Sequence, residues 1–263
     1  MKQKIKLHII SLIKRLDKVN AIEVDSLTKQ YKKFTVVDDI TFNVNEGEIF
    51  AFLGPNGAGK TTSLKILTTI LQPTSGNIKV NGYDVLHKKN DVRKSIGVIF
   101  QSNSLDEKLT AYENMEYHAV LYKVPKKEIK GRVNKLLENV ELLDRKDDLI
   151  KTFSGGMKRR IEIARGLIHT PQVLFLDEPT IGLDAHTRAF LWEYIRNLKD
   201  NNNLTVFLTT HNLDEAEKIA DRIAIIDKGK IQTIGTFEQI KEMTGVDTLE
   251  QAFLKLTGHE IRR

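Results

Sequence analysis

The segment Gly54-Pro55-Asn56-Gly57-Ala58-Gly59-Lys60-Thr61 decides the fold, because it fits the whole pattern of a phosphate-binding loop. It lies between an apolar run at residues 48–53 and a stretch at 61–71 whose leucines have helical spacing. Glycines let backbone N–H groups close around phosphate oxygens, and the N-terminus of the following helix faces them. We expect Lys60 to pair with the phosphates and Thr61 to hold Mg²⁺. The order strand, loop, helix is the context that the pattern requires.

A second candidate site follows the apolar strand pattern Leu174-Phe175-Leu176, which ends in Asp177 and Glu178. Successive side chains of a strand point to opposite faces. Asp177 is therefore expected to reach a Mg²⁺-bound water near Thr61, and Glu178 to face a water that attacks the terminal phosphate. A solvated acidic turn is the alternative for such a pair, but the apolar run before it argues against that alternative.

The composition of the 263 residues is that of a globular chain, with 40% hydrophobic and 29% charged residues. Charges interrupt every apolar run before it reaches the roughly 20 residues of a transmembrane helix. The absence of cysteine excludes disulfides and thiolate metal sites. The net charge of +6 comes from 41 basic and 35 acidic residues without a compact basic patch, so we predict no nucleic-acid partner.

Alternating patterns along the chain predict an α/β fold. Short β-branched runs at 22–24, 35–37 and 41–44 predict antiparallel strands, whereas 96–100, 173–176 and 204–208 predict buried strands between helices. Residues 110–143 are mostly helical in pattern and predict a helical insertion. We therefore expect a phosphate-loop (P-loop) NTPase core with a mostly parallel sheet, an antiparallel β subdomain and an inserted α-helical subdomain.

The first eighteen residues form a separate pattern. Ile5, Ile9, Leu12, Ile13 and Leu16 have helical spacing, and most of the lysines and arginines fall elsewhere on the same helix. This predicts a basic amphipathic extension that lies on an acidic membrane face or packs on a partner. A helix that packs on the core, or a start codon assigned too far upstream, is the alternative interpretation.

Three further features narrow the interpretation: Phe153-Ser154-Gly155-Gly156-Met157 before a helical pattern, Gln101 after a predicted strand, and His211 just past another. With them, the chain resembles the nucleotide-binding subunits of ATP-binding cassette (ABC) transporters over nearly all of residues 21–235. The resemblance implies an ATPase that binds ATP and Mg²⁺ and drives a separate membrane-spanning permease. Phe153 and Met157 depart from the commonest family pattern. Met157, with 105–110 and 249–258, resembles the daunorubicin-resistance-type, or ABC-2, exporter branch.

The resemblance also implies roles for single residues. Tyr31 would stack on adenine, Gln101 would contact Mg²⁺ and the attacking water, and His211 would hold the γ-phosphate, with Glu178 as the general base. We expect Thr62 to contact the nucleotide beside Thr61. Core or interface packing is the alternative for the tyrosine, and strand-end groups bonded to backbone are the alternative for the glutamine and histidine. Asn212 and Glu215 predict a capping pair for the helix that follows.

The resemblance further implies a head-to-tail dimer. Ser154, Gly155 and Gly156 offer a hydroxyl, two open backbone N–H groups and a helix N-terminus, which together suit an anion. A simple helix cap is the alternative. In the family this segment completes the ATP site of a second subunit, and Asp184 matches the loop that crosses the same interface. The pair would be a homodimer or a pseudo-dimer.

These patterns predict three parts: the extension at 1–18, an ABC ATPase domain at 19–240 with its helical subdomain at about 102–160, and a C-terminal helical tail at 241–263. The expected function is an ATP-hydrolysing subunit, most simply of an exporter, in the cytoplasm and peripheral on the inner face of the cell membrane. Two alternatives differ in class. One is a soluble ABC-type ATPase acting on ribosomes or nucleic acid, and the other is a binding module without catalysis.

Overall fold

The computed structural model describes residues 19–258, so the predicted extension at 1–18 lies outside the described residues. The strands are β1 (Asn20–Tyr31), β2 (Phe34–Asn45), β3 (Ile49–Leu53), β4 (Ser75–Val80), β5 (Tyr83–Asp84), β6 (Ile96–Ile99), β7 (Val173–Asp177), β8 (Thr205–Thr210), β9 (Arg222–Asp227) and β10 (Lys230–Gly235). The helices are α1 (Lys60–Leu67), α2 (Lys89–Ser95), α3 (Ala111–Leu121), α4 (Lys126–Asn139), α5 (Gly155–Gly166), α6 (Ala185–Asn202), α7 (Leu213–Ile219), α8 (Phe237–Thr244) and α9 (Leu249–Thr257).

Two sheets organise the described chain. One has four strands in the order β2-β1-β4-β5, all antiparallel. The other has six strands in the order β10-β9-β3-β8-β7-β6, in which β10 is antiparallel to β9 and the remaining pairs are parallel. This architecture confirms the predicted P-loop NTPase fold with a mostly parallel sheet and an antiparallel β subdomain.

The central strands are apolar on both faces because both faces of the six-stranded sheet are covered. In β3, Ile49, Ala51 and Leu53 belong to the cluster that contains the buried residues of α3 to α9. Phe50 and Phe52 belong to the other cluster, with the antiparallel sheet and α1. Within that second cluster the Phe50 and Phe207 rings stack with centroids 5.9 Å apart. The sheet therefore holds the loops at its ends on a rigid base.

The helical insertion lies between β6 and β7 and contains α3, α4 and α5. α3 begins with a complete capping box, in which Thr110 accepts from the Glu113 backbone and the Glu113 side chain accepts in return. Ser154 caps α5 by accepting from the Met157 backbone N–H at 3.3 Å. The subdomain bounds of about 102–160 remain a prediction. α8 runs across residue 240, where the sequence predicts the tail to begin.

The antiparallel strands are longer than the short runs that the sequence predicts. β1 and β2 continue through Ser26 and Asp39, which have left-handed φ values of 55° and 52° and lie where the pairing register shifts. Such bulges insert an extra residue without ending the strand. Within the described range, no helix is long and apolar enough to cross a membrane.

Candidate active site

The glycine-rich loop joins the end of β3 to the start of α1, at the edge of the sheet where the parallel strands end. Two of its glycines are required by close approach. A Cβ on Gly54 would lie 2.2 Å from the Ile226 carbonyl oxygen, and Gly59 has φ +103° with a Cβ position 2.8 Å from the Val36 oxygen. The loop is therefore packed tightly against β2 and β9 on one side, which leaves its other side open.

Lys60 is the first residue of α1 and is almost fully buried. Its Nζ donates to the carbonyl oxygens of Gly54 at 2.8 Å and Pro55 at 3.1 Å, and lies 3.3 Å from Oε1 of Glu178. Burial lowers the pKa of Lys60, and the nearby Glu178 carboxylate opposes that shift. The buried ammonium group is thus held by two loop carbonyls and one carboxylate.

Asp177 ends β7 and is 2% exposed. Its Oδ1 accepts hydrogen bonds from two hydroxyl groups, that of Thr61 at 3.1 Å and that of Thr209 at 2.6 Å. Thr209 is the register partner of Asp177 on the neighbouring strand β8. The predicted proximity of Asp177 to Thr61 is therefore present, and the arrangement offers oxygen ligands that suit a hard cation such as Mg²⁺.

Glu178 turns away from Asp177 because its backbone leaves the strand. Its φ is +46°, and its N–H donates to both the carbonyl and the hydroxyl oxygens of Thr209, each at 3.1 Å. Its Oε1 lies 3.2 Å from Nδ1 of His211. This Nδ1 is buried, and the contact does not have hydrogen-bond angles. The carboxylate therefore stands between the Lys60 ammonium and the imidazole.

Lys60, Thr61, Glu178 and His211 line one cavity of about 370 Å³. It is lined by Val36, Asn56, Gly57, Gly59, Lys60, Thr61, Thr62, Gln101, Glu178, Ile181 and His211. Gln101 also lines a neighbouring cavity of about 550 Å³ that reaches Asp177 and Ile70. The structure thus brings Gln101, Glu178 and His211 to the glycine-rich loop, as the sequence predicts.

Tyr31, Asp184 and the Ser154-Gly155-Gly156 segment line neither of these two cavities. Tyr31 ends β1 with its side chain 47% exposed and the Lys29 ammonium 4.9 Å from its ring centre. Asp184 caps α6, where Thr187 donates to it from the backbone N–H at 2.8 Å and from the hydroxyl at 2.7 Å. These two hydrogen bonds lower the pKa of Asp184. Ser154, Gly155 and Gly156 begin α5 and do not line the cavity.

Two residues that hold the site together were not predicted. The sequence indicates Thr209 only weakly: it is a polar residue at the end of an apolar strand, two positions before His211. Arg159 follows the Ser154-Gly155-Gly156 segment on α5, yet its guanidinium is buried and donates to the Pro179 carbonyl at 2.8 Å. A basic residue in a helix with other basic residues gives no sequence signal of burial.

Comparison with known proteins places this geometry in a family. The ABC transporter family model matches residues 37–181. The daunorubicin resistance ATP-binding protein DrrA3 of Streptomyces coeruleorubidus is 40% identical over 88% of this chain and 72% of its own length. The linearmycin resistance ATP-binding protein LnrL of Bacillus subtilis is 39% identical over 88% of this chain and 74% of its own length.

Solved structures agree with the sequence relatives. An ATP-binding subunit of an ABC transporter matches with a TM-score of 0.82 and 30% identity, over 90% of this chain and 99% of that one. A dimeric post-hydrolysis state of the ATP-binding cassette MJ0796, bound to ADP and Pi, matches with a TM-score of 0.75 and 26% identity, over 82% of this chain and 98% of that one. The chain therefore belongs to the ABC transporter family, as an ATP-binding and ATP-hydrolysing subunit.

Proposed function

We propose that this ATPase subunit drives export through a separate membrane-spanning permease, and that two copies close head to tail around two Mg-ATP molecules. One observation carries the proposal. A single copy brings the glycine-rich loop, Lys60 and Glu178 to one cavity and Asp177 to the neighbouring cavity that Thr61 and Gln101 share, while the Ser154-Gly155-Gly156 helix tip lines neither. A second copy can therefore supply the missing anion-binding tip.

Mg-ATP would be bound by groups in and around the glycine-rich loop. The Thr61 hydroxyl, the Asp177 carboxylate and the Gln101 side chain are the oxygen groups that would hold Mg²⁺, and the ion would neutralise phosphate charge there. Thr62 and the backbone of residues 54–61 would bind the phosphates. Tyr31 is 47% exposed and is thus accessible for stacking on the adenine ring.

For hydrolysis, we assign Glu178 as the general base and His211 as a γ-phosphate ligand. The backbone N–H of Glu178 is bonded to Thr209, and the Glu178 carboxylate lies 3.3 Å from the Lys60 ammonium, so both the main chain and the side chain of the base are held in place. Lys60 supplies a positive charge in a buried setting, where it stabilises phosphate charge more strongly than it would in water.

The second half-site belongs to α5 and α6. A Cβ on Gly155 would meet no atom within 4 Å, so the backbone at this helix tip is open to a ligand. The Ser154 hydroxyl is already placed at the same tip. Asp184 begins α6, and Thr187 of that helix lies 3.0 Å from the position of a Cβ on Gly156. We therefore place both segments in the interface between the two copies.

The permease would contact the face around α3. Tyr117, Val120 and Leu121 expose 63%, 59% and 74% of their surface, and Ile70 exposes 58%. Large exposed apolar side chains of this kind mark interaction sites. Ile70 and Gln101 line the same cavity, so the exposed Ile70 side chain lies next to the ATP site. Docking here would place the chain on the inner face of the membrane.

Export, rather than uptake, is supported by the relatives. Both sequence relatives described above are resistance ATP-binding proteins, and resistance to a drug is served by moving it out of the cell. No observation favours the ribosome or nucleic-acid alternative.

The test is Glu178→Gln. This variant should bind ATP, turn over at least a hundredfold more slowly, and elute as an ATP-dependent dimer in size-exclusion chromatography with light scattering. Lys60→Ala serves as the matched control, which should neither bind ATP tightly nor dimerise. Normal turnover in Glu178→Gln would refute the assigned base. A Glu178→Gln protein that stays monomeric with saturating Mg-ATP would refute the head-to-tail assembly.

A further inference from the structure

Three charged residues of α5 hold the chain segment that follows β6. Arg159, Glu162 and Arg165 are spaced three apart, so they lie along one side of the helix. The segment they hold begins at Phe100, includes Gln101 and extends to Ser104. Its backbone therefore depends on the same helix whose N-terminus carries Ser154.

Arg159 is the central residue of this contact. It is 7% exposed, and its Nη1 donates to the Phe100 carbonyl oxygen at 2.7 Å. Its Nε donates to the Pro179 carbonyl oxygen at 2.8 Å. One guanidinium thus fixes the main chain directly before Gln101 and directly after Glu178. A planar guanidinium can hold two such acceptors at once, whereas an ammonium group lacks that fixed geometry.

Glu162 completes the arrangement. Its Oε2 lies 3.0 Å from Nη1 of Arg159, and its Oε1 accepts from the backbone N–H of Ser104 at 2.8 Å and from the Ser104 hydroxyl at 3.1 Å. Arg165 donates to the Ser104 carbonyl oxygen at 3.0 Å. The segment 100–104 is therefore held to α5 at both of its ends.

Stability alone does not explain a buried ion pair of this kind. Arg159 and Glu162 are 7% and 4% exposed, and removing two charges from water costs about as much as their attraction returns. Apolar residues of similar volume would fill the space as well. What apolar residues cannot do is bond to the carbonyl oxygens of Phe100 and Pro179 at the same time.

We propose that Arg159 is a positioning residue for ATP hydrolysis, which ties the Gln101 backbone and the Glu178-Pro179 turn to α5 so that both side chains keep their place relative to the γ-phosphate. The inference rests on the roles given above to Gln101 and Glu178. It also means that a displacement of α5 moves both residues together. Arg159 itself need not touch the nucleotide.

The test compares Arg159→Gln with Arg160→Gln in the full chain. Arg160 is the matched control because it lies one residue further along α5 but donates to Glu141 at 2.9 Å and stacks on Phe190. Arg159→Gln should lower kcat by about tenfold to a hundredfold with the ATP Kd changed less than about threefold, since a small misplacement affects the chemical step most. Arg160→Gln should keep kcat within about twofold.

A double-mutant cycle separates positioning from general loosening. If Arg159 acts through the Gln101 backbone, the kcat losses of Arg159→Gln and Gln101→Ala should be non-additive, and Arg159→Lys should recover only part of the rate. Additive losses, or an Arg159→Gln protein with normal kcat, would overturn the proposal. So would a loss of ATP affinity as large as the loss of kcat.

A second variant covers the case of misfolding, and a separate experiment tests the dimer. If Arg159→Gln does not fold, the pair Arg159→Met with Glu162→Gln removes both buried charges together and leaves an acceptor for Ser104. That double variant should fold, bind ATP and hydrolyse slowly; normal hydrolysis by it would refute the proposal. Failure of the proposed dimer would appear in the Glu178→Gln experiment, which leaves Arg159 unchanged, so the two proposals fail separately.

Discussion

Thr209→Val replaces a buried hydroxyl with a methyl group of nearly the same shape. The hydroxyl donates to Oδ1 of Asp177 at 2.6 Å and accepts from the Glu178 backbone N–H at 3.1 Å. Without it, the Asp177 carboxylate, 2% exposed, keeps the Thr61 hydroxyl as its remaining donor to that oxygen. The Glu178 N–H keeps its bond to the Thr209 carbonyl at 3.1 Å. The main loss is thus one hydrogen bond to a buried charge.

A hydrogen bond to a charged group contributes about 1.5–3 kcal/mol, so Thr209→Val should lower the free energy of unfolding by that amount and Tm by about 3–12 °C. Thr209→Ser keeps the hydroxyl and should lose only about 1 kcal/mol, from the missing methyl group. Urea unfolding without nucleotide or Mg²⁺ measures both. The reasoning is refuted if the valine variant is as stable as the parent, or if the serine variant loses as much as the valine variant.

Three further predictions concern the protonation of a buried histidine, the packing around a glycine and the proposed permease face. Burial lowers the pKa of His118 to about 4, below its usual 6.5, so the unfolded chain takes up this proton first and stability should fall as the pH drops from 6.5 to 4. His118→Phe should remove up to about 3 kcal/mol of that loss in denaturant titrations, and equal losses in both proteins would contradict this. Gly97→Ala should destabilise by about 1–3 kcal/mol because its Cβ would lie 2.5 Å from the Gly166 carbonyl oxygen, whereas Gly131→Ala, with nothing within 4 Å, should be neutral or stabilising in thermal melts. Leu121→Glu should keep the ATPase rate of the isolated chain and abolish co-purification with the permease subunit; undiminished co-purification would place the permease elsewhere.

The parts of the site that follow local rules could be predicted from the sequence. The glycine-rich loop is set by its own spacing, and the placement of Asp177 near Thr61 follows from the ends of parallel strands meeting at one edge of a sheet. Gln101 and His211 reach the same cavity for the same reason. Their chemical roles, in contrast, come from the family resemblance.

Long-range polar partners could not be predicted. Asn212 caps α7 by accepting from the Glu215 N–H at 3.2 Å, as the sequence predicts, but the Glu215 carboxylate accepts from the Thr180 hydroxyl at 2.6 Å instead of closing a capping box. Arg159 likewise finds its carbonyl partners 59 and 20 residues away in sequence. Nothing in local spacing encodes such contacts, because they depend on how separate elements meet.

The contact between Lys60 and Glu178 has a consequence for affinity. The Lys60 ammonium lies 3.3 Å from the Glu178 carboxylate. A triphosphate that enters the site therefore competes with this carboxylate for the lysine. Part of the attraction between ATP and the loop is therefore used to separate the two side chains. Removing the Glu178 charge, as in Glu178→Gln, should therefore tighten ATP binding before the chemical step.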